Sequence, residues 1–185
     1  IPRDLIPIAL KSLGYGVNST NPAELEQALT KLIELKQRAI LVDPGDPSIV
    51  PALTGGGAVI AHGWTYDAQL ALEEGLPIAY ILPEEGTYLW GDNFVIPANS
   101  LRQYTAEVFL NFLLRPGISA RIVEESSYAM PNDAATPLIK PEILDNPLIY
   151  PSNAVMEHAE IVMPLDAAGQ NLYDDLWVRF LAAGE

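Results

Sequence analysis

Two tryptophan–aspartate pairs stand out as groups able to do chemistry: Trp64 with Asp67, and Trp90 with Asp92. The second pair interrupts an apolar, strand-like run, TYLWGDNFVIP, at Trp90-Gly91-Asp92. In a strand, positions i and i+2 point to the same side, so the Trp90 ring and the Asp92 carboxylate project together. Gly91 between them admits a close backbone or ligand, or marks a bend. Trp64 closes an expected strand and Asp67 falls in the first turn of the next helix. Carboxyl ends of parallel strands are where α/β sheets bind ligands. An ammonium leaving water needs a charge-assisted partner, and its methylene arm needs apolar walls. A carboxylate supplies the first; an indole face supplies the second and a cation–π attraction of about 0.5–2 kcal/mol. The pattern therefore suits an aliphatic amine. The structural alternatives are a core Trp64 with Asp67 supporting a helix start, and a sheet-edge irregularity with Asp92 in solvent.

Other candidates carry less. His62 lies near Trp64, yet a strand histidine is more often structural than a metal ligand. His158 is isolated in sequence. A Ser126–His158–Asp67 triad can be assembled only by free choice, and no G-x-S-x-G elbow exists. The glycines at 55–57 lack the lysine and hydroxyl residue of a phosphate loop, and DPGDPS lacks calcium-loop spacing. No cofactor or metal is implied. A hydrolase built on a histidine and a carboxylate is the remaining enzymatic alternative.

The elements that must position these residues read as follows. LIPIALKSLGYG has helical apolar spacing closed by Gly14, with Asp4 as N-cap and Pro7 in the first turn. A second helix starts at Asn21-Pro22, with Leu25, Ala28, Leu29, Leu32 and Ile33 on one face. Strands are expected over 39–43, up to Trp64, over 77–83 and through TYLWGDNFVIP, with a helix after Trp64 closed by Gly75. Next comes a helix with a Ser100/Gln103 capping box and a buried stripe of Tyr104, Val108, Phe109, Phe112 and Leu113. A shorter helix follows, then an irregular proline-rich stretch from Pro131 to Asn153. The last helix carries Leu172, Tyr173, Leu176, Trp177, Phe180 and Leu181. The rhythm is α/β, with a mainly parallel sheet and helices on its faces.

Composition narrows the classes. The 185 residues are 49% hydrophobic, enough to build a substantial core. A net charge of −14 argues against nucleic acid and anionic membrane surfaces and is compatible with a cationic ligand. The chain has no cysteine, hence no disulfide framework or thiolate metal site. No apolar run is long enough to span a bilayer. The opening IPRDLIPIAL has no initiator Met and no signal core, which predicts a native start upstream, removed by processing or carried on a longer protein.

The order of the segments ALKSLGYGVNSTNPAELEQA, the GW and Asp67 after a glycine turn, EEGTYLWGDNFVIPANS, FLNFLLRPGISARIVEESSYAMPN and YDDLWVRF resembles the polyamine-binding proteins of bacterial ABC transporters. The resemblance runs from about Arg3 to the C-terminus. It implies a periplasmic-binding-protein type II-like lobe, with a second lobe incomplete because only the later part of such a protein is matched. Residues 1–91 and 136–185 would form the second lobe, and residues 92–135 would belong to the first. It implies capture of a linear polyamine, putrescine or spermidine, in an inter-lobe cleft and delivery to a membrane permease, with another cationic or zwitterionic solute as the alternative. Trp64 and Trp90 match sandwiching tryptophans and Asp92 an amine-binding carboxylate. Asp67 matches an acidic position used for the shorter diamine, Tyr128 a cleft tyrosine and Asp4 a further acidic residue. The location implied is periplasmic or otherwise extracytoplasmic, free or lipid-anchored. The departures are Ile1 in place of an acidic residue, Gly56-Gly57 in place of Gly-Glu, Met163 near an expected glutamine, and Tyr66 where glycine is common. With one lobe incomplete, the chain is expected to expose apolar surface and to self-associate through it.

Overall fold

The computed structural model describes residues 2–40 and 50–183. Among them, helices dominate and one short parallel strand pair is present. The helices α1 (Pro2–Ser12), α2 (Pro22–Lys36) and α9 (Ala167–Ala182) form one packed unit. Its core joins Ile6 and Leu10 of α1, Leu25, Leu29 and Leu32 of α2, and Tyr173, Leu176 and Phe180 of α9. These are the apolar stripes expected from helical spacing, and the caps follow the sequence closely. The Asn21 side chain accepts from the Ala23 N–H at 2.9 Å, with Pro22 opening α2. Gly14 takes φ +80°, and the Tyr15 N–H reaches back to the Leu10 carbonyl, a Schellman closure of α1. Lys36 closes α9 from outside: its ammonium donates to the carbonyls of Phe180, Leu181 and Ala183 at 2.7–3.1 Å.

One capping expectation is corrected. The helix begins at Pro2, so Asp4 sits inside the first turn and is not the N-cap, and Pro7 lies in the helix interior. Pro7 has no N–H to offer the Arg3 carbonyl, so one helical bond is forgone. Its ring is fully buried instead, which offsets that loss.

A second cluster holds the middle of the chain. Ala120 and Val123 of α6 (Pro116–Ser126) pack on Ala135, Ile139 and Ile149, continuous across residue 136. Ser119 is fully buried, and its hydroxyl donates to the Leu113 carbonyl and accepts from the Asn132 amide.

The sheet is parallel as expected but much shorter. Strand β1 (Tyr88–Leu89) pairs with β2 (Glu160–Ile161), Tyr88 opposite Glu160 and Leu89 opposite Ile161. The segments 58–64 and 77–83, expected as strands, form no hydrogen-bonded ladder among the described residues. Their composition suits a strand, but a strand exists only where an edge pairs with it. The strand expected over 39–43 falls largely outside the described residues. Two sets of contacts seat the pair, the first dependent on a glycine. Gly86, at φ +90°, turns the chain against His158, whose carbonyl oxygen would lie 2.3 Å from any added Cβ. Glu160 accepts from the Lys11 ammonium at 2.6 Å and from the Val17 N–H at 3.1 Å, tying β2 to α1.

That tie is pH-sensitive. Burial pushes the Glu160 carboxyl up, but the Lys11 ammonium and the Val17 N–H together outweigh it and hold it below the ordinary carboxylate value. A carboxyl depressed on folding contributes stability above its unfolded value and loses it as pH falls through the folded one. Thermal melts of the wild type should therefore lose stability as pH drops below about 4.5. Glu160→Gln should be less stable at neutral pH and show a shallower acid dependence; equal slopes for both proteins would refute the assignment.

The helix α5 (Gln103–Leu113) departs most from expectation. Its stripe was expected to be buried, yet Tyr104 is 79% and Phe109 54% exposed, and Val108 and Phe112 are exposed too. Periodicity makes the face apolar; among the described residues nothing covers it. The expected Ser100/Gln103 box is also replaced. Ser100 accepts from the Arg102 N–H, and the Gln103 amide donates to Glu107 one turn on.

Candidate functional site

The site begins at the start of α4 (Thr65–Glu73). Trp64 is the N-cap, in extended conformation, and its N–H donates to Asp67 Oδ2 at 3.0 Å. Asp67 stands three residues into the turn, so this is the carboxylate half of a capping box. The indole has only an N–H to donate, so Trp64 supplies no reciprocal side-chain acceptor. Its ring is left free to point away from the helix and is 39% exposed. Ala68 and Ala71 take the buried face of α4.

The second arm comes from β1. The Val162 N–H donates to the Leu89 carbonyl, and there the ladder ends. Trp90, Gly91 and Asp92 follow as exposed chain. A Cβ on Gly91 would meet nothing within 4 Å, so no other backbone closes on it among the described residues. The third arm is Tyr128, just past α6. Ser127 takes a left-handed φ of +58° and its N–H caps the Val123 carbonyl, which throws the next residue off the helix axis. The Tyr128 N–H donates to Ser126 Oγ.

These arms meet. The Trp64 and Trp90 rings lie 5.3 Å apart edge to face, and Trp90 meets Tyr128 at 5.7 Å in the same manner. The run extends at both ends, Tyr88 to Trp64 at 6.3 Å and Tyr128 to Tyr66 at 6.5 Å. Five aromatic rings thus follow one another in the order Tyr88, Trp64, Trp90, Tyr128, Tyr66. Such pairs are separately favourable by about 0.5–1.5 kcal/mol, so the wall is set before any ligand arrives.

Acidic groups flank the wall. Burial pushes the Tyr128 phenol up and the Asp67 charge adds to it, against hydrogen bonds from the Thr65 side chain and the Tyr66 backbone. Asp67 therefore stands at the Tyr128 end. At the other end, burial pushes the Tyr88 phenol up, followed by the charge of Asp4 and by Tyr80. The Tyr88 hydroxyl is buried with no hydrogen-bond partner among the described residues. Burial pushes the His62 imidazole down, with the Asp4 charge opposing. Asp92 is exposed and makes no hydrogen bond or ion pair among the described residues. All six residues singled out by sequence are accounted for. Trp64, Trp90 and Tyr128 are joined by ring contacts, Asp67 and Asp4 flank opposite ends, and Asp92 stands two residues beyond Trp90 in open chain. Ser126 is engaged with the Tyr128 N–H, and no bond links it to His158 among the described residues.

Sequence reasoning missed Tyr88 and treated Tyr66 only as a departure. Both signals were available: Tyr88 precedes Trp90 by two positions and so shares its side in extended chain, and Tyr66 adjoins Asp67. An aromatic wall with carboxylates at both ends can hold an extended organic cation, with methylenes on the rings and charges on the acids.

Comparison with known proteins gives the family. Residues 2–151 match the family of bacterial extracellular solute-binding proteins. A spermidine/putrescine-binding periplasmic protein of Escherichia coli K12 is 30% identical over 180 residues, covering 97% of this chain and 51% of that protein. A putrescine-binding periplasmic protein of the same organism is 33% identical over 156 residues, covering 81% of this chain and 42% of that protein. Among solved structures, a putative spermidine/putrescine ABC transporter protein from Listeria monocytogenes superposes with a TM-score of 0.79 at 27% identity, covering 98% of this chain and 55% of that one. The chain thus spans about half the length of the relatives it matches. Family match and fold lead to one conclusion: this chain belongs to the bacterial extracellular solute-binding proteins.

Proposed function

We propose that the chain forms part of the solute receptor of an ABC importer. It binds a linear polyamine, putrescine or spermidine, in an inter-lobe cleft and passes it to the permease without chemical change. The observation that carries this reading is the ring run Tyr88–Trp64–Trp90–Tyr128 with Asp4 and Asp67 at its ends and Asp92, two residues past Trp90, without a partner among the described residues. The names of the relatives support the ligand class, and their periplasmic location supports an extracytoplasmic one, free or lipid-anchored. In this reading residues 1–91 and 136–185 belong to the second lobe and residues 92–135 to the first. Tyr128 then faces Trp64, Tyr66 and Trp90 across the lobe division, which is where a cleft belongs. Calorimetric titration of the chain with putrescine and spermidine tests the reading. Weak, saturable heat that is reduced in Asp92→Asn is expected; no heat with either amine would end it.

The exposed α5 face belongs to the same proposal. Tyr104, Val108, Phe109 and Phe112 form a contiguous apolar stripe, which in water favours association. A second copy of the chain is the proposed occupant. Light scattering should give a mass above that of the monomer, and Phe109→Glu should return it towards the monomer. A clean monomer across the micromolar range would contradict the association.

A further inference from the structure

We infer that Tyr66 is a specificity residue: it extends the ring wall at the Asp67 end and sets the length of cation the site prefers. The inference rests on the amine-binding reading above and deepens it. Tyr66 occupies the second position of α4, between the N-cap Trp64 and the capping Asp67. Its ring does not enter the core, a role taken by Ala68 and Ala71, and it stays 48% exposed. It lies against Tyr128 with planes only 24° apart and centroids 6.5 Å apart, the geometry of an offset stack.

The other contacts in the run are edge to face, at 90°, 76° and 74°. In those pairs the edge of one ring covers the face of the next. The Tyr66–Tyr128 pair is the exception: two nearly parallel rings set side by side present neighbouring π faces. A carboxylate adjoins that pane, because Asp67 is the next residue and its charge acts on Tyr128. An ammonium paired with Asp67 thus has both ring faces within reach, and no further ring follows Tyr66 in the run among the described residues. One end of the ligand is fixed there. The other must reach the next acidic group along the wall, with its methylenes on Trp90 and Trp64. Fixing one end makes affinity depend on chain length. Without Tyr66 the terminal ammonium loses a wall, slides more freely, and the dependence flattens.

The test is a titration of the chain with α,ω-diamines from diaminopropane to diaminooctane, followed by the indole N–H resonances of Trp64 and Trp90. Wild type is expected to show one optimal length, and Tyr66→Phe to keep it. Tyr66→Ala should weaken the best diamine about 2- to 30-fold, the cation–π contribution converted to affinity, and flatten the profile, while loss of its stack on Tyr128 lowers the melting temperature slightly and leaves the chain folded. An unchanged length profile in Tyr66→Ala, with or without a uniform loss, overturns the inference and leaves the amine reading standing. Failure of wild type to bind any diamine overturns both.

Discussion

Replacing Phe180 with alanine is expected to lower stability by about 3–5 kcal/mol, the range for truncating a buried phenylalanine. Phe180 is 2% exposed and sits where α9 meets α1 and α2. Its ring packs 5.0 Å from Trp177, and the Lys36 ammonium lies 5.3 Å over its face. Truncation opens a cavity in the cluster that Phe180 shares with Leu10, Leu29 and Leu32. Domains of this size hold only about 5–15 kcal/mol in total, so the loss is a large share of what keeps the three-helix unit folded. Urea unfolding followed by circular dichroism checks the value. A change below about 1 kcal/mol would mean that α9 contributes little to the core, against the packing described.

Asp92→Asn is expected to weaken diamine binding about 10- to 100-fold, since hydrogen bonds to charged groups contribute roughly 1.5–3 kcal/mol. Asp92 is exposed and has no partner among the described residues, so no other contact depends on its charge. The variant should therefore melt at the wild-type temperature and lose only affinity. Asp67→Asn should behave differently. The Asp67 carboxylate also accepts the Trp64 N–H at the start of α4. An amide oxygen can keep that bond, so the variant retains the helix start yet loses the charge beside Tyr128. Added salt should weaken binding in the wild type, and less so in either variant, because screening acts on the charge that each removes. Equal affinity for Asp92→Asn and wild type, with equal salt dependence, would remove Asp92 from the site.

Much of the fold was legible because its signals are local. Asn21-Pro22 starts α2, glycines at positive φ close α1 and α4, and the stripes of α2 and α9 mark the faces that meet. The strands were not legible in the same way. A β-branched apolar segment such as 77–83 announces a preference, whereas a ladder requires a neighbouring edge that lies far off in sequence. Among the described residues only Tyr88–Leu89 found one, against Glu160–Ile161. The α5 stripe shows the same limit: spacing reveals an apolar face and says nothing of its cover. For the site, the two Trp–Asp spacings were enough to propose a cation. They did not predict that Trp64 and Trp90 touch, nor that Tyr66 and Tyr88 lengthen the wall, because those contacts form between separate segments. Tyr128 came from family resemblance, and its ring contacts with Trp90 and Tyr66 likewise join separate segments.

The central claim is that the ring wall and its carboxylates recognise a dication. The most direct measurement compares the indole N–H resonances of the chain on addition of putrescine, 1-aminobutane and 1,4-butanediol at millimolar concentration. The three indoles are Trp64, Trp90 and Trp177, and the third lies on α9 as an internal control. The account predicts saturable shifts at Trp64 and Trp90 with putrescine, weaker ones with the monoamine, none with the diol, and a silent Trp177. Shifts of equal size for diamine and diol, or none at Trp64 and Trp90, would contradict it.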